Sequence, residues 1–104
     1  MILTHADDGA SVEALLGAPF TVHLDESPTT GYRWQLKVIG DAVSFLDSGF
    51  EAKSDIVGGV GQASFNFLSV KQGRATLFFK LSREWESDAA YIDSVTINIV
   101  VVVA

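Results

Sequence analysis

"SPTTGYRWQLKV", Ser27 to Val38, is a turn that runs straight into a strand. Pro28 has its φ preset for the second position of a turn. Ser27 before it is suited to hydrogen-bond nearby backbone, and Gly31 is free to take the positive φ that ends the turn. Thr29 and Thr30 are thereby expected at the tip. From Tyr32 the pattern changes to period two: Tyr32, Trp34, Leu36 and Val38 on one face, with Arg33, Gln35 and Lys37 opposite. That alternation predicts a strand with one buried face.

The same period recurs along the chain. Phe20, Val22 and Leu24 alternate with Thr21 and His23. Phe65 and Phe67 begin a third pattern. Ala75, Leu77, Phe79 and Leu81 form a fourth, with Arg74, Thr76 and Lys80 opposite. Tyr91, Val95, Ile97, Ile99, Val101 and Val103 form a long last one, apolar on both faces from Ile99 onward, as in a central strand. Turn signals separate these runs: "LGAP", "DESPTTG", "GGVGQ", "KQG" and "REWESDAA". "KQG" is short enough to close a hairpin, with Gly73 at positive φ. "SVEALLG" reads either as one or two helical turns or as an edge strand with Val12 and Ala14 on one face. The expectation is an all-β sandwich of about seven or eight mostly antiparallel strands forming a single domain over residues 1–104, with a closed barrel as the alternative.

Composition narrows the function. Thirteen acids against seven bases leave a net charge of −6, which disfavours nucleic acid and anionic membrane surfaces as partners. With no cysteine there is no disulfide, thiolate metal site or cysteine nucleophile. The start, "MILTHADDGA", lacks a basic n-region and does not read as a signal peptide. "VTINIVVVVA" is too short to cross a bilayer as a helix. His5 and His23 have no ligand spacing, so neither a metal nor another cofactor is expected. A serine, a histidine and an aspartate can be combined on paper, but no nucleophile elbow supports them, so the chain does not read as an enzyme. Asp7, Asp8, Asp25, Glu26, Glu86 and Asp88 read as a solvated rim, without the spacing of a calcium loop.

Three loops stand out. The first is the Ser27–Tyr32 turn. The second, "VGGVGQ" over 57–62, carries Gly58, Gly59 and Gly61; three glycines are costly to order, so the loop is either merely floppy or shaped for close approach by a partner's backbone. A strand rather than a helix follows, which excludes a phosphate-cradling loop. The third, "SREWESD" over 82–88, puts Trp85 among charges. Trp85 is either an interface anchor or a lid folded onto the sandwich edge, and Arg83 is placed to lie over its ring or to pair with Glu84 or Glu86.

In this order and spacing, the three loops resemble those of the chagasin family, protein inhibitors of papain-like cysteine proteases. The family's Asn-Pro-Thr-Thr-Gly-aromatic loop corresponds to Ser27, Pro28, Thr29, Thr30, Gly31 and Tyr32. Its Gly-x-Gly-Gly loop corresponds to Gly58, Gly59, Val60 and Gly61, and its Arg-Pro-Trp loop to Arg83, Glu84 and Trp85. The likeness runs from about Ala10 to Val103. It implies an immunoglobulin-like sandwich, monomeric when free, whose three loops form a wedge at one end. The Pro28–Gly31 turn enters the cleft of a host or endogenous protease, with Thr29 near its catalytic cysteine and histidine. The glycine-rich loop lies along the cleft, and Trp85 docks on the primed side. Inhibition is then steric and reversible.

Three residues depart from the pattern. Ser27 replaces asparagine, a mild change. Val60 replaces glycine, and a β-branched residue disfavours positive φ. Glu84 replaces proline, which adds charge and removes a constraint. The competing reading is an adhesion or carbohydrate-binding sandwich using Tyr32, Trp34 and Trp85. Alternation puts Tyr32 and Trp34 in the core, which leaves one tryptophan for such a platform.

Overall fold

In the computed structural model, which describes residues 1–27, 30–52, 61–83 and 91–104, the period-two runs become strands of two packed sheets. The described strands are β1 Ile2–Thr4, β2 Ser11–Leu15, β3 Pro19–Glu26, β4 Tyr32–Ile39, β5 Val43–Ala52, β6 Gly61–Ser69, β7 Gly73–Arg83 and β8 Tyr91–Val102. One sheet has the order β1-β3-β6-β5 and the other β2-β8-β7-β4. Two open four-stranded sheets make a sandwich, not the closed barrel. Pairing is antiparallel except for β1 with β3 and β2 with β8.

The alternating residues meet between the sheets. Phe20, Val22, Leu24, Ala63, Phe65 and Phe67 from one sheet face Trp34, Ala75, Leu77, Phe79, Val95, Ile97 and Ile99 from the other, all buried. Phe65 crosses to Phe79 edge to face at 5.0 Å, and Phe20 stacks on Phe67 at 5.2 Å. Each buried aromatic removes a large apolar surface from water, so this cluster dominates the favourable side of folding. Leu36, Val38 and Leu81 are half-buried at its margin. β8 lies between β2 and β7, the central position its apolar run implies.

The structure decides one open alternative and corrects two expectations. "KQG" does not close a hairpin: β6 and β7 lie in different sheets, so this turn carries the chain across the sandwich, with Gly73 at φ 140°. "SVEALLG" is the edge strand, not a helix; β2 pairs with β8 from Ser11 to Leu15. Tyr91 and Val103 do not share the buried register of β8, being 46% and 59% exposed. A register shift between Leu81 and Ser82 interrupts the alternation opposite Tyr91, and Val103 lies past the last residue paired with β2. Before β2, His5–Asp7 form a 3₁₀ turn with a capping box: the Thr4 side chain accepts from Ala6 N–H, and Asp7 accepts from Thr4 N–H.

Candidate functional site

The strand registers bring the strand ends that flank the three sequence motifs to one end of the molecule. In the first sheet, Gly61 pairs with both Glu26 and Ala52. In the second, Arg83 pairs with Tyr32, and Ser82 with Tyr91. Apart from Ser82, each of these is the first or last residue of its strand. The connections 27–31, 53–60 and 84–90 therefore all leave from these two rows, and the first of them joins the two sheets.

Each motif has part of its length in the described residues. In the first, Thr30 N–H and Thr30 Oγ1–H both donate to the Ser27 carbonyl, at 3.1 and 2.7 Å. Thr30 Oγ1 also accepts from Tyr32 N–H at 3.3 Å. Gly31 sits at φ 79°, where a side chain would be strained. The hydroxyl of Thr30 thus closes the turn. Pro28 and Thr29 lie outside the described residues, as do Gly58, Gly59 and Val60 in the second motif and Glu84, Trp85, Glu86 and Asp88 in the third.

Three boundary residues belong to the strands, not the loops. Tyr32 opens β4 and is half-buried, short of the core position that alternation gave it. Gly61 opens β6 and is buried under the Phe50 ring; a Cβ there would overlap that ring and lie 2.9 Å from the Glu51 carbonyl. Its missing side chain thus makes room for this chain's own phenylalanine. Arg83 closes β7, and its guanidinium lies 4.3 Å from the centroid of the Tyr32 ring. Cross-strand pairing with Tyr32 brings these side chains together; its other expected partners, Trp85, Glu84 and Glu86, lie outside the described residues.

Behind these rows lies a cluster that sequence reasoning missed. Asp25 and Glu26 are not in a loop; they complete β3, where Asp25 is exposed as expected but Glu26 is only 9% exposed. The alternation Phe20, Val22, Leu24 carried the signal, because its next inward position is Glu26. Glu26 Oε1 accepts from the backbone N–H of Trp34 at 2.8 Å, and Trp34 Nε1–H donates to the Asp25 carbonyl at 2.8 Å. His5 stands edge-on to Trp34, ring centroids 6.2 Å apart, and pairs with Asp93 Oδ2 at 2.8 Å.

His5 also shares a surface hollow with His23, Asp25 and Gln62. Among the described residues, no group of three His, Cys, Asp or Glu side chains is placed to hold a metal. The hydrogen bond to Asp93 raises the His5 pKa above its ordinary 6.5. A raised folded pKa stabilises the fold below the unfolded value of 6.5 and is lost as pH climbs through the folded one. Both side chains are about half exposed, so the contribution is small, about 0.2–1 kcal/mol. We expect His5→Asn to lower the melting temperature slightly at pH 5.5 and to leave it unchanged at pH 8. An equal loss at both pH values would show that the charge plays no part.

Comparison with known proteins decides the family. Residues 13–99 match the model for the chagasin family peptidase inhibitor I42. The chain belongs to the chagasin family. This makes it a peptidase inhibitor and not an enzyme or a carbohydrate-binding module. Amoebiasin-2 of Entamoeba histolytica is 27% identical over 103 residues, which cover 96% of this chain and 84% of that protein. The crystal structure of the cysteine protease inhibitor EhICP2 from Entamoeba histolytica superposes with a TM-score of 0.85 at 26% identity, covering 96% of this chain and 93% of that one. The fold also matches PbICP-C, solved in complex with falcipain-2, with a TM-score of 0.68 at 13% identity over 97% of this chain and 89% of that one. At that identity the likeness is one of fold alone.

Proposed function

We propose that this protein, acting as one domain over residues 1–104, is a reversible inhibitor of papain-like cysteine proteases that seats one end of its sandwich in the active-site cleft. The observation that carries the reading is the convergence of the three motif-bearing connections on one end of the fold. A cleft-filling wedge needs its loops at one pole, and this register supplies that. Family membership and the cysteine protease inhibitor among its structural relatives support the choice of target class.

The roles divide in two. Contact falls to Ser27, Pro28 and Thr29 at the turn, to Gly58, Gly59 and Val60, and to Glu84 and Trp85. Thr30 has its hydroxyl committed to the Ser27 carbonyl, so we assign the approach to the catalytic cysteine and histidine to Thr29. Thr30, Gly31, Tyr32, Gly61 and Arg83 hold the contact residues in place. A turn already closed by its own hydrogen bonds loses little entropy on docking, and protease–inhibitor interfaces of ordinary size are among the tightest known. The cleft is blocked by backbone and side chains that offer no correctly placed scissile carbonyl, so nothing covalent forms and the inhibitor is released intact.

Titration against papain and a cathepsin-type enzyme tests this. We expect stoichiometric inhibition that reverses on dilution, an intact inhibitor on recovery, and no effect on trypsin. Digestion by papain without loss of papain activity would refute the reading.

A further inference from the structure

We propose that Glu26 is a positioning residue of the inhibitory end: its buried carboxylate latches β4 to β3 and holds the 27–31 turn in its docking geometry. The inference rests on the inhibitory reading above. β3 and β4 are consecutive in sequence but lie in different sheets, so no backbone ladder fixes one against the other. β4 is the edge of its sheet, hydrogen-bonded on one side to β7. Among the described residues, its outward N–H groups therefore have no strand to pair with. Glu26 supplies an acceptor to one of them, Trp34 N–H, at 2.8 Å. The indole of the same residue reaches back to the neighbouring Asp25 carbonyl at 2.8 Å. Two bonds from one residue to consecutive residues of β3 fix both the separation and the rotation of the strand ends that carry the turn.

The choice of residue supports this role. Glu26 occupies the fourth inward position after Phe20, Val22 and Leu24 and is nearly as enclosed as they are. An apolar side chain there would avoid the desolvation of a carboxylate, and replacing buried ionic groups with apolar ones often stabilises a fold. A glutamate in this register therefore makes poor sense as packing. It makes good sense as a directional bond to an edge amide that no strand meets. The bonds from Thr30 to the Ser27 carbonyl tie the two described ends of the turn together; the latch fixes where those ends point.

Three variants test the latch, with active-site titration ensuring that only folded inhibitor is counted. Glu26→Gln keeps an acceptor oxygen in place and should associate with papain at close to the parent rate. Glu26→Leu keeps the packing and loses the acceptor. Glu26→Asp keeps the charge but withdraws the oxygen by one methylene. Both should associate about tenfold more slowly, as expected for losing a hydrogen bond to a charged group, with dissociation almost unchanged, because fewer molecules hold the competent turn at any moment. The Trp34 amide should exchange its hydrogen faster in both, a readout that needs no protease. Parent-like association and parent-like Trp34 exchange in either folded variant would overturn the latch while leaving the inhibitory reading intact. Failure of the parent to inhibit any papain-like enzyme would instead sink that reading, and Trp34 exchange would still decide whether the latch exists.

Discussion

Trp85→Ala will weaken protease binding by about 2 kcal/mol or more, near thirtyfold, and will hardly move the melting temperature. The expectation comes from what surrounds this residue in the sequence and from what the fold already has. Glu84, Glu86 and Asp88 flank Trp85, a setting for a residue that meets a partner and not the core. The other indole, Trp34, is already buried in the core and bonded through its Nε1–H. Most of the loss should appear in the dissociation rate, because removing one anchor scarcely alters diffusional encounter. Glu84→Ala is the control: it should have a small effect that shrinks further in high salt, as for a charge at the rim. A large fall in melting temperature for Trp85→Ala, with protease binding unchanged, would make Trp85 a lid and remove it from the site.

The inner strands were legible because their burial is one-sided. Val22, Leu77 and Ile97 each sit in a run where every second residue must leave water, and that requirement is written into residue type. β5 was not legible. Val43–Ala52 is an edge strand exposed along almost its whole length, with Phe45 and Leu46 adjacent and a register shift between Phe45 and Asp47. No alternation survives those conditions. β1, three residues long, offers too few positions for any period. The candidate site divides the same way. The turn chemistry of Ser27 to Gly31 is local, so Gly31 takes its positive φ as the sequence implies. The meeting of Arg83 with Tyr32, of His5 with Asp93, and of Phe50 with Gly61 depends on which strands pair and in what register. That is long-range information that no window of sequence contains. Glu26 lies between these cases: its inward register was readable from Phe20, Val22 and Leu24, whereas its partner, Trp34 N–H, was not.

Trp34→Ala should do the opposite of Trp85→Ala and destabilise the fold by about 3–5 kcal/mol, the usual cost of truncating a buried aromatic. For a domain of this size that lowers the melting temperature by roughly 15 °C or more. Trp34 is 7% exposed and packs in the shared core. Its removal leaves a cavity beside Phe65 and Ala63, the core residues that line the same cleft between the sheets, and it strips the Asp25 carbonyl of its indole donor. Trp34→Phe separates these effects. It refills most of the volume but has no N–H, so its cost should fall to about 0.5–1.5 kcal/mol, that of losing one part-buried hydrogen bond. The chain has two tryptophans, so Trp34→Phe also makes Trp85 the sole indole fluorophore. Its emission should then resemble that of a tryptophan in water and shift to the blue when papain is added, as an anchor entering a protease pocket would. Chemical denaturation of Trp34→Ala that matched the parent, or a sole-Trp85 emission already blue and indifferent to papain, would reverse the roles of the two tryptophans.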